Sequence, residues 1–250
     1  MDVSDWKQSL GQSARQTPWR DLLAAAAFLS ALLLITDFAM QLPWLPIIAS
    51  AILFVSFALI LTLSQIHSRH VLGPADRVTL ARAVLVLFLA SLTLQPDLLA
   101  RLIWPFALLC VVALLLDGVD GHIARKTGTS SAFGARFDME LDAFFILLLC
   151  FAALVLDKAG PWVLLIGLIR YGFVVAAFAA PFLNDPLPES FRRKTVCVWQ
   201  LVTLMIALLP VTPLWLASGS LLVALILLCW SFAIDVRYLM AHRNQPRRTP

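Results

Sequence analysis

Residues 114–149 read LLLDGVDGHIARKTGTSSAFGARFDMELDAFFILLL. Four aspartates, Asp117, Asp120, Asp138 and Asp142, stand between two apolar walls. The first pair is spaced i,i+3 and the second i,i+4, so each pair shares one helix face. Two antiparallel helices joined by a short loop would bring those faces together, as a cluster of carboxylates at the membrane surface. An aspartate at the centre of a bilayer-spanning helix costs roughly 2.5–3.5 kcal/mol, and less near the interface. Mutual repulsion adds to that and forces some carboxyls to stay protonated unless cations join them. Hard Mg²⁺ or Mn²⁺ takes oxygen ligands, and a two-metal carboxylate site suits phosphoryl displacement. The bland alternative is a set of solvated or helix-capping acids. The rival functional reading is a proton or cation pathway through a transporter.

The residues between the pairs favour an enzyme. Gly121 and Ala124 are small enough for a ligand or a backbone to approach closely. Arg125 places a fixed cation about one turn beyond Asp120, and Gly134 lies four residues before Asp138. His122 and Glu140 fall off the aspartate stripes and are expected to face solvent or to back the ligands.

Composition sets the surroundings. Of 250 residues, 61% are hydrophobic and 14% charged, against about half and a quarter in soluble domains. The apolar residues come in runs of about bilayer length, which makes the chain an all-α polytopic membrane protein. Eight spans are expected, near 21–41, 44–64, 77–96, 99–117, 137–156, 161–182, 195–211 and 214–236. Turn residues fill the gaps, at Gln41-Leu42-Pro43, Gln95-Pro96-Asp97, Lys158 to Pro161, and Pro210 to Pro213. The run from Leu22 to Thr36 is read as a retained first span, since no small-residue cleavage site follows it. With the N-terminus inside, every Lys and Arg except Arg101, Lys158 and Arg170 falls in an inside segment. The positive-inside rule therefore puts both termini and the aspartates on the cytoplasmic side. The net charge of +4 is accounted for by lipid headgroups and calls for no nucleic acid. Trp19, Trp44, Trp162 and Trp215 near span ends read as an interfacial belt. Cys110, Cys150, Cys197 and Cys229 all fall in apolar runs and read as small buried hydrophobes.

The pattern Asp117-x-x-Asp120-Gly121-x-x-Ala124-Arg125, eight residues, then Gly134-x-x-x-Asp138-x-x-x-Asp142 resembles the signature of the CDP-alcohol phosphotransferase family, with every fixed position present. The resemblance implies a six-helix core over 65–240, usually a homodimer, with its active site open to the cytoplasm. Residues 1–20 would then be a cytoplasmic segment, 21–64 an extra transmembrane hairpin and 241–250 a basic tail. It also implies that Asp117, Asp120 and Asp138 bind the two metal ions, Mg²⁺ or Mn²⁺. Asp142 would be the base that deprotonates the acceptor and would also touch metal. Gly121, Ala124, Arg125 and Gly134 would hold the CDP group. Transfer of phosphatidyl from CDP-diacylglycerol to an alcohol, with release of CMP, would follow. Upstream, ADRVTLARAVL resembles the family's Pro-Asn-x-x-Thr-x-x-Arg stretch. Thr79 and Arg82 fit it, while Asp76 replaces the Asn and Ala75 the Pro, which puts the nucleotide contact at position 76 in question.

The acceptor is less legible. Arg170 lies in an apolar span, and Arg192-Arg193-Lys194-Thr195 opens the next. These resemble positions where phosphatidylglycerophosphate synthases carry Arg and Lys-Thr. Arg170, Arg193 and Lys194 would suit a phosphorylated acceptor such as glycerol 3-phosphate. A structural ion pair for Arg170 and a membrane anchor for the basic run are the alternatives.

Overall fold

A computed structural model describes residues 19–68, 73–127, 131–184 and 190–242. Among them there are helices and turns and no strands. The helices are α1 (Trp19–Met40), α2 (Trp44–Ser68), α3 (Pro74–Leu92), short α4 (Pro96–Arg101), α5 (Ile103–Thr127), α6 (Ala132–Val155), α7 (Leu164–Ala179), α8 (Phe191–Leu208) and α9 (Leu214–His242). Each expected span corresponds to a helix, except that 99–117 is broken at Leu102. Pro96 opens α4, and Pro105 sits in the first turn of α5, where its missing N–H costs nothing. Among the described residues, four helical stretches are long and apolar enough to cross a membrane, Trp19–Met40, Trp44–Ser64, Pro161–Ala179 and Leu214–Ala241. Their outward faces carry bare side chains such as Phe38, 95% exposed, which lipid would cover favourably. The protein is an integral membrane protein.

The chain forms two compact units, residues up to 99 with 108–141, and 100–107 with the remainder from 142. In the first, α3 is the hub, packed by α1 and α2. Val84 to Leu89 are buried all round it, which explains why that run shows no polar face. Pro74 starts α3, and the Asp76 carboxylate accepts the Gly73 N–H at 2.8 Å, satisfying an otherwise orphaned donor. The α1–α2 hairpin is fastened to α3 at both ends. The Arg77 guanidinium lies 3.0 Å from Asp21, and Ser50 Oγ donates to Ser91 Oγ at 2.8 Å in a fully buried contact. Phe57 of α2 also stacks against Phe137 of α6, centroids 5.9 Å apart.

Two turns explain their own sequences. At the end of α1, Gln41 takes φ 52° and its N–H returns to Asp37 C=O, while Asp37 Oδ1 accepts the Leu42 N–H. After α6, Asp157 takes φ 53°, with Asp157 N–H on Leu154 C=O and Lys158 N–H on Ala153 C=O. That is a Schellman ending with Asp in the place usually held by Gly.

In the second unit, α8 and α9 pack as a pair, and α7 lies against α9. Lys158 Nζ donates to Leu209 C=O at 3.0 Å and Thr212 C=O at 3.2 Å, placing a cation on the carbonyl end of α8. Cys110 and Cys150 are buried as expected, but Cys197 is half-buried and Cys229 is exposed on α9. The expectation of four buried cysteines is thus corrected: α9 is apolar on its outer side too, so an apolar run did not guarantee burial.

Gly167 and Gly172 of α7 make a controlled pair. A Cβ on Gly167 would stand 2.7 Å from the Leu147 Cα of α6, whereas one on Gly172 meets nothing within 4 Å. Small residues at such crossings allow close helix approach in membranes. Gly167→Ala should therefore lower the thermal unfolding midpoint in detergent. Gly172→Ala should leave it unchanged or raise it, by up to about 1 kcal/mol of helix propensity. Equal effects of the two would contradict this packing.

Candidate active site

α5 carries Asp117 and Asp120, and α6 carries Gly134, Asp138 and Asp142 along one stripe. The geometry gathers Asp117, Asp138 and Asp142: each offers one carboxylate oxygen, and the three oxygens lie within 4.8 Å of one another. Asp142 follows Asp138 by one turn of the continuous α6 helix. Oxygens that share a divalent ion at about 2.0–2.6 Å stand about 3–5 Å apart, so this set fits a hard cation. The donors are all carboxylates, the chemistry that Mg²⁺ and Mn²⁺ select. The side chains of Asp120, Ala124 and Arg125 lie outside the described residues, although their backbone continues α5. Gly121 sits on α5, partly exposed.

The groups brought by α3 show what spacing could not. The Arg82 side chain is 3% exposed, and its guanidinium bridges the two aspartate-bearing helices. Nη1 donates to Asp117 Oδ1, and Nη2 donates to Asp138 Oδ1 at 2.7 Å. Both carboxylates remain more than a third exposed, which leaves oxygen surface for other ligands. A planar fork can join two carboxylates where a point-like ammonium cannot. Thr79 is buried, and its hydroxyl donates back to Ala75 C=O at 3.2 Å. Asp76 is buried at the start of α3, facing Gly134. Glu140 is exposed, as its spacing indicated.

On α8, Arg192 is the structural cation of the basic run. Its guanidinium donates to Ser231 C=O and Oγ and to Asp235 Oδ1 at 2.6 Å, and it lies 5.8 Å over the Trp230 ring. Asp235 is buried and is also reached by Arg193 at 3.6 Å. Lys194 is exposed, and Arg170 is half-buried on α7. Ser231 and Asp235 escaped the sequence reading. Asp235 sits within the apolar stretch of α9 with no motif around it, and only the α8–α9 pairing reveals its partner. Asp37 closes the α1–α2 turn, its carboxylate accepting the Leu42 N–H.

The CDP-alcohol phosphatidyltransferase family model matches residues 72–234, well over half of the chain. Searches of curated proteins and of solved structures returned no match. The chain belongs to the CDP-alcohol phosphatidyltransferase family. It is thus a transferase of phospholipid synthesis acting on a CDP-alcohol, in a family that depends on divalent metal. The match leaves out α1 and α2.

Removing Arg82 would strand two carboxylates beside each other. Arg82→Met should destabilise the protein by about 1–3 kcal/mol, because the two carboxylates it strands keep more than a third of their surface in solvent. Arg82→Lys should cost less in thermal unfolding, because the charge remains. It should still lose activity, because one ammonium cannot hold both oxygens. Wild-type stability and turnover in Arg82→Met would refute the bridge.

Proposed function

We propose that the chain transfers the phosphatidyl group of CDP-diacylglycerol to the hydroxyl of a small alcohol and releases CMP. The observation that carries this reading is the convergence of Asp117, Asp138 and Asp142 within 4.8 Å on two helices that Arg82 ties together. A bound pair of Mg²⁺ or Mn²⁺ ions would draw charge off the diphosphate. Asp117, Asp120 and Asp138 are the residues that would hold them, with Asp142 at the edge of the set. Asp142 takes the proton of the acceptor hydroxyl. The freed alcohol oxygen bonds to the phosphorus that bears diacylglycerol. The bond from that phosphorus to the oxygen of the CMP phosphate then breaks. Gly121, Ala124 and Arg125 form the CDP seat, with Thr79 and Arg82 beside it.

Arg170, Arg193 and Lys194 serve the acceptor, and their charge suits a phosphorylated alcohol such as glycerol 3-phosphate. The shared use of Asp235 by Arg192 and Arg193 leaves Arg192 to structure and Arg193 more open. The placement of Lys and Arg supports an orientation with the site and both termini facing the cytoplasm, in a bacterial inner membrane, and the family resemblance is the ground for a homodimer.

Purified protein given CDP-diacylglycerol, an alcohol panel and Mg²⁺ or Mn²⁺ should release CMP and form the matching phospholipid. Chelation should stop both. Asp142→Asn should abolish turnover while retaining CDP-lipid binding. Folded protein that releases no CMP with any alcohol would sink the reading. Gln at Arg170, Arg193 or Lys194 should raise the KM for a phosphorylated acceptor and leave that for CDP-diacylglycerol unchanged. A rise in both KM values would remove the acceptor assignment.

A further inference from the structure

The family resemblance gives Gly134 to the CDP group, but its surroundings point elsewhere. A Cβ on Gly134 would lie 2.6 Å from Asp76 Oδ1 and 3.1 Å from Ser131 Oγ. Neither neighbour can withdraw freely. Asp76 is 4% exposed on a short side chain, and its other oxygen is held by the Gly73 N–H at 2.8 Å. Ser131 Oγ is held by the Gly134 N–H at 2.9 Å, as the cap of α6. The Asp76 carboxylate therefore sits at two helix starts together, those of α3 and α6, where both positive dipole ends favour it.

We propose that Asp76 is a positioning residue: its carboxylate latches the start of α3 to the first turn of α6, and the bare Gly134 is the seat that the latch requires. The proposal deepens the transferase reading and rests on it for its consequence in catalysis. Gly134 precedes Asp138 by one turn and Asp142 by two. On α3, Arg82 follows Asp76 by six residues, about 9 Å of helix, and grips Asp138 at 2.7 Å. The two helices thus meet at two separated points, Asp76 with Gly134 and Arg82 with Asp138. Two points set both the height and the rotation of α6, which one could not.

A double-mutant cycle on the full chain tests the latch. Wild type, Asp76→Ala, Gly134→Ala and the double variant are compared by thermal unfolding and by Mn²⁺ titration followed with electron paramagnetic resonance, alongside CMP release. Gly134→Ala alone should lower the unfolding midpoint and weaken Mn²⁺ binding about 10- to 100-fold, as changes behind metal ligands do. In the Asp76→Ala background the same change should cost clearly less, because the 2.6 Å clash is gone and only the 3.1 Å approach to Ser131 Oγ remains. Losses that simply add would overturn the proposal and return Gly134 to the nucleotide. If Gly134→Ala yields no folded protein, recovery of folded protein in the double variant supports the latch, and failure in both backgrounds overturns it. The unfolding arm needs neither metal nor substrate. A wild type that released no CMP would therefore remove the transferase reading and leave the latch to be judged by this arm alone.

Discussion

A guanidinium buried to 3% exposure between two carboxylates is the constraint on which the site depends. Asp117 and Asp138 lie on different helices and repel each other, and nothing in either helix alone would hold them together. Arg82 supplies the opposing charge from a third helix, and its fork fixes the direction as well as the distance of both oxygens. Desolvating such a cation is costly, so the arrangement persists only with both partners in place. The exposed third of each carboxylate then remains for a ligand of opposite charge, and Asp142 one turn on completes the oxygen set.

That bridge makes demands on the rest of its unit. α3 must stand at a fixed height against α5 and α6, and it is the most enclosed helix of the unit. α1 and α2 enclose it from outside the segment that the family model covers. Asp21 with Arg77 and Ser50 with Ser91 fasten the hairpin at the two ends of α3, while Phe57 reaches Phe137, the residue next to Asp138. The additional hairpin thus packs directly on the elements that carry the site. In the second unit the same economy recurs: Lys158 closes the carbonyl end of α8, and Arg192 is held by Asp235.

Much of this was legible in the residues themselves. The helices followed from apolar length, and the one-turn relation of Asp138 and Asp142 followed from helical spacing, because both depend on near neighbours in the chain. The break at Leu102 was missed because two prolines nine residues apart, Pro96 and Pro105, both serve helix starts within one apolar run. The partners of Arg82 lie 35 and 56 residues away, and no period in the sequence encodes such a meeting. Position 76 read as a departure from a pattern. Only the approach of its oxygen to Gly134 shows what a carboxylate does there. Arg192 and Asp235 were hidden for a like reason, since a basic run at a span start reads as an anchor whether or not a buried acid awaits it.

The central claim is that Asp117, Asp138 and Asp142 form one site for divalent metal. Anomalous diffraction from crystals of the protein grown with Mn²⁺ tests it most directly. The account predicts anomalous density within coordination distance of oxygens from all three aspartates, absent in Asp138→Ala. Crystals soaked to saturation that show Mn²⁺ elsewhere, or none at these carboxylates, would contradict it.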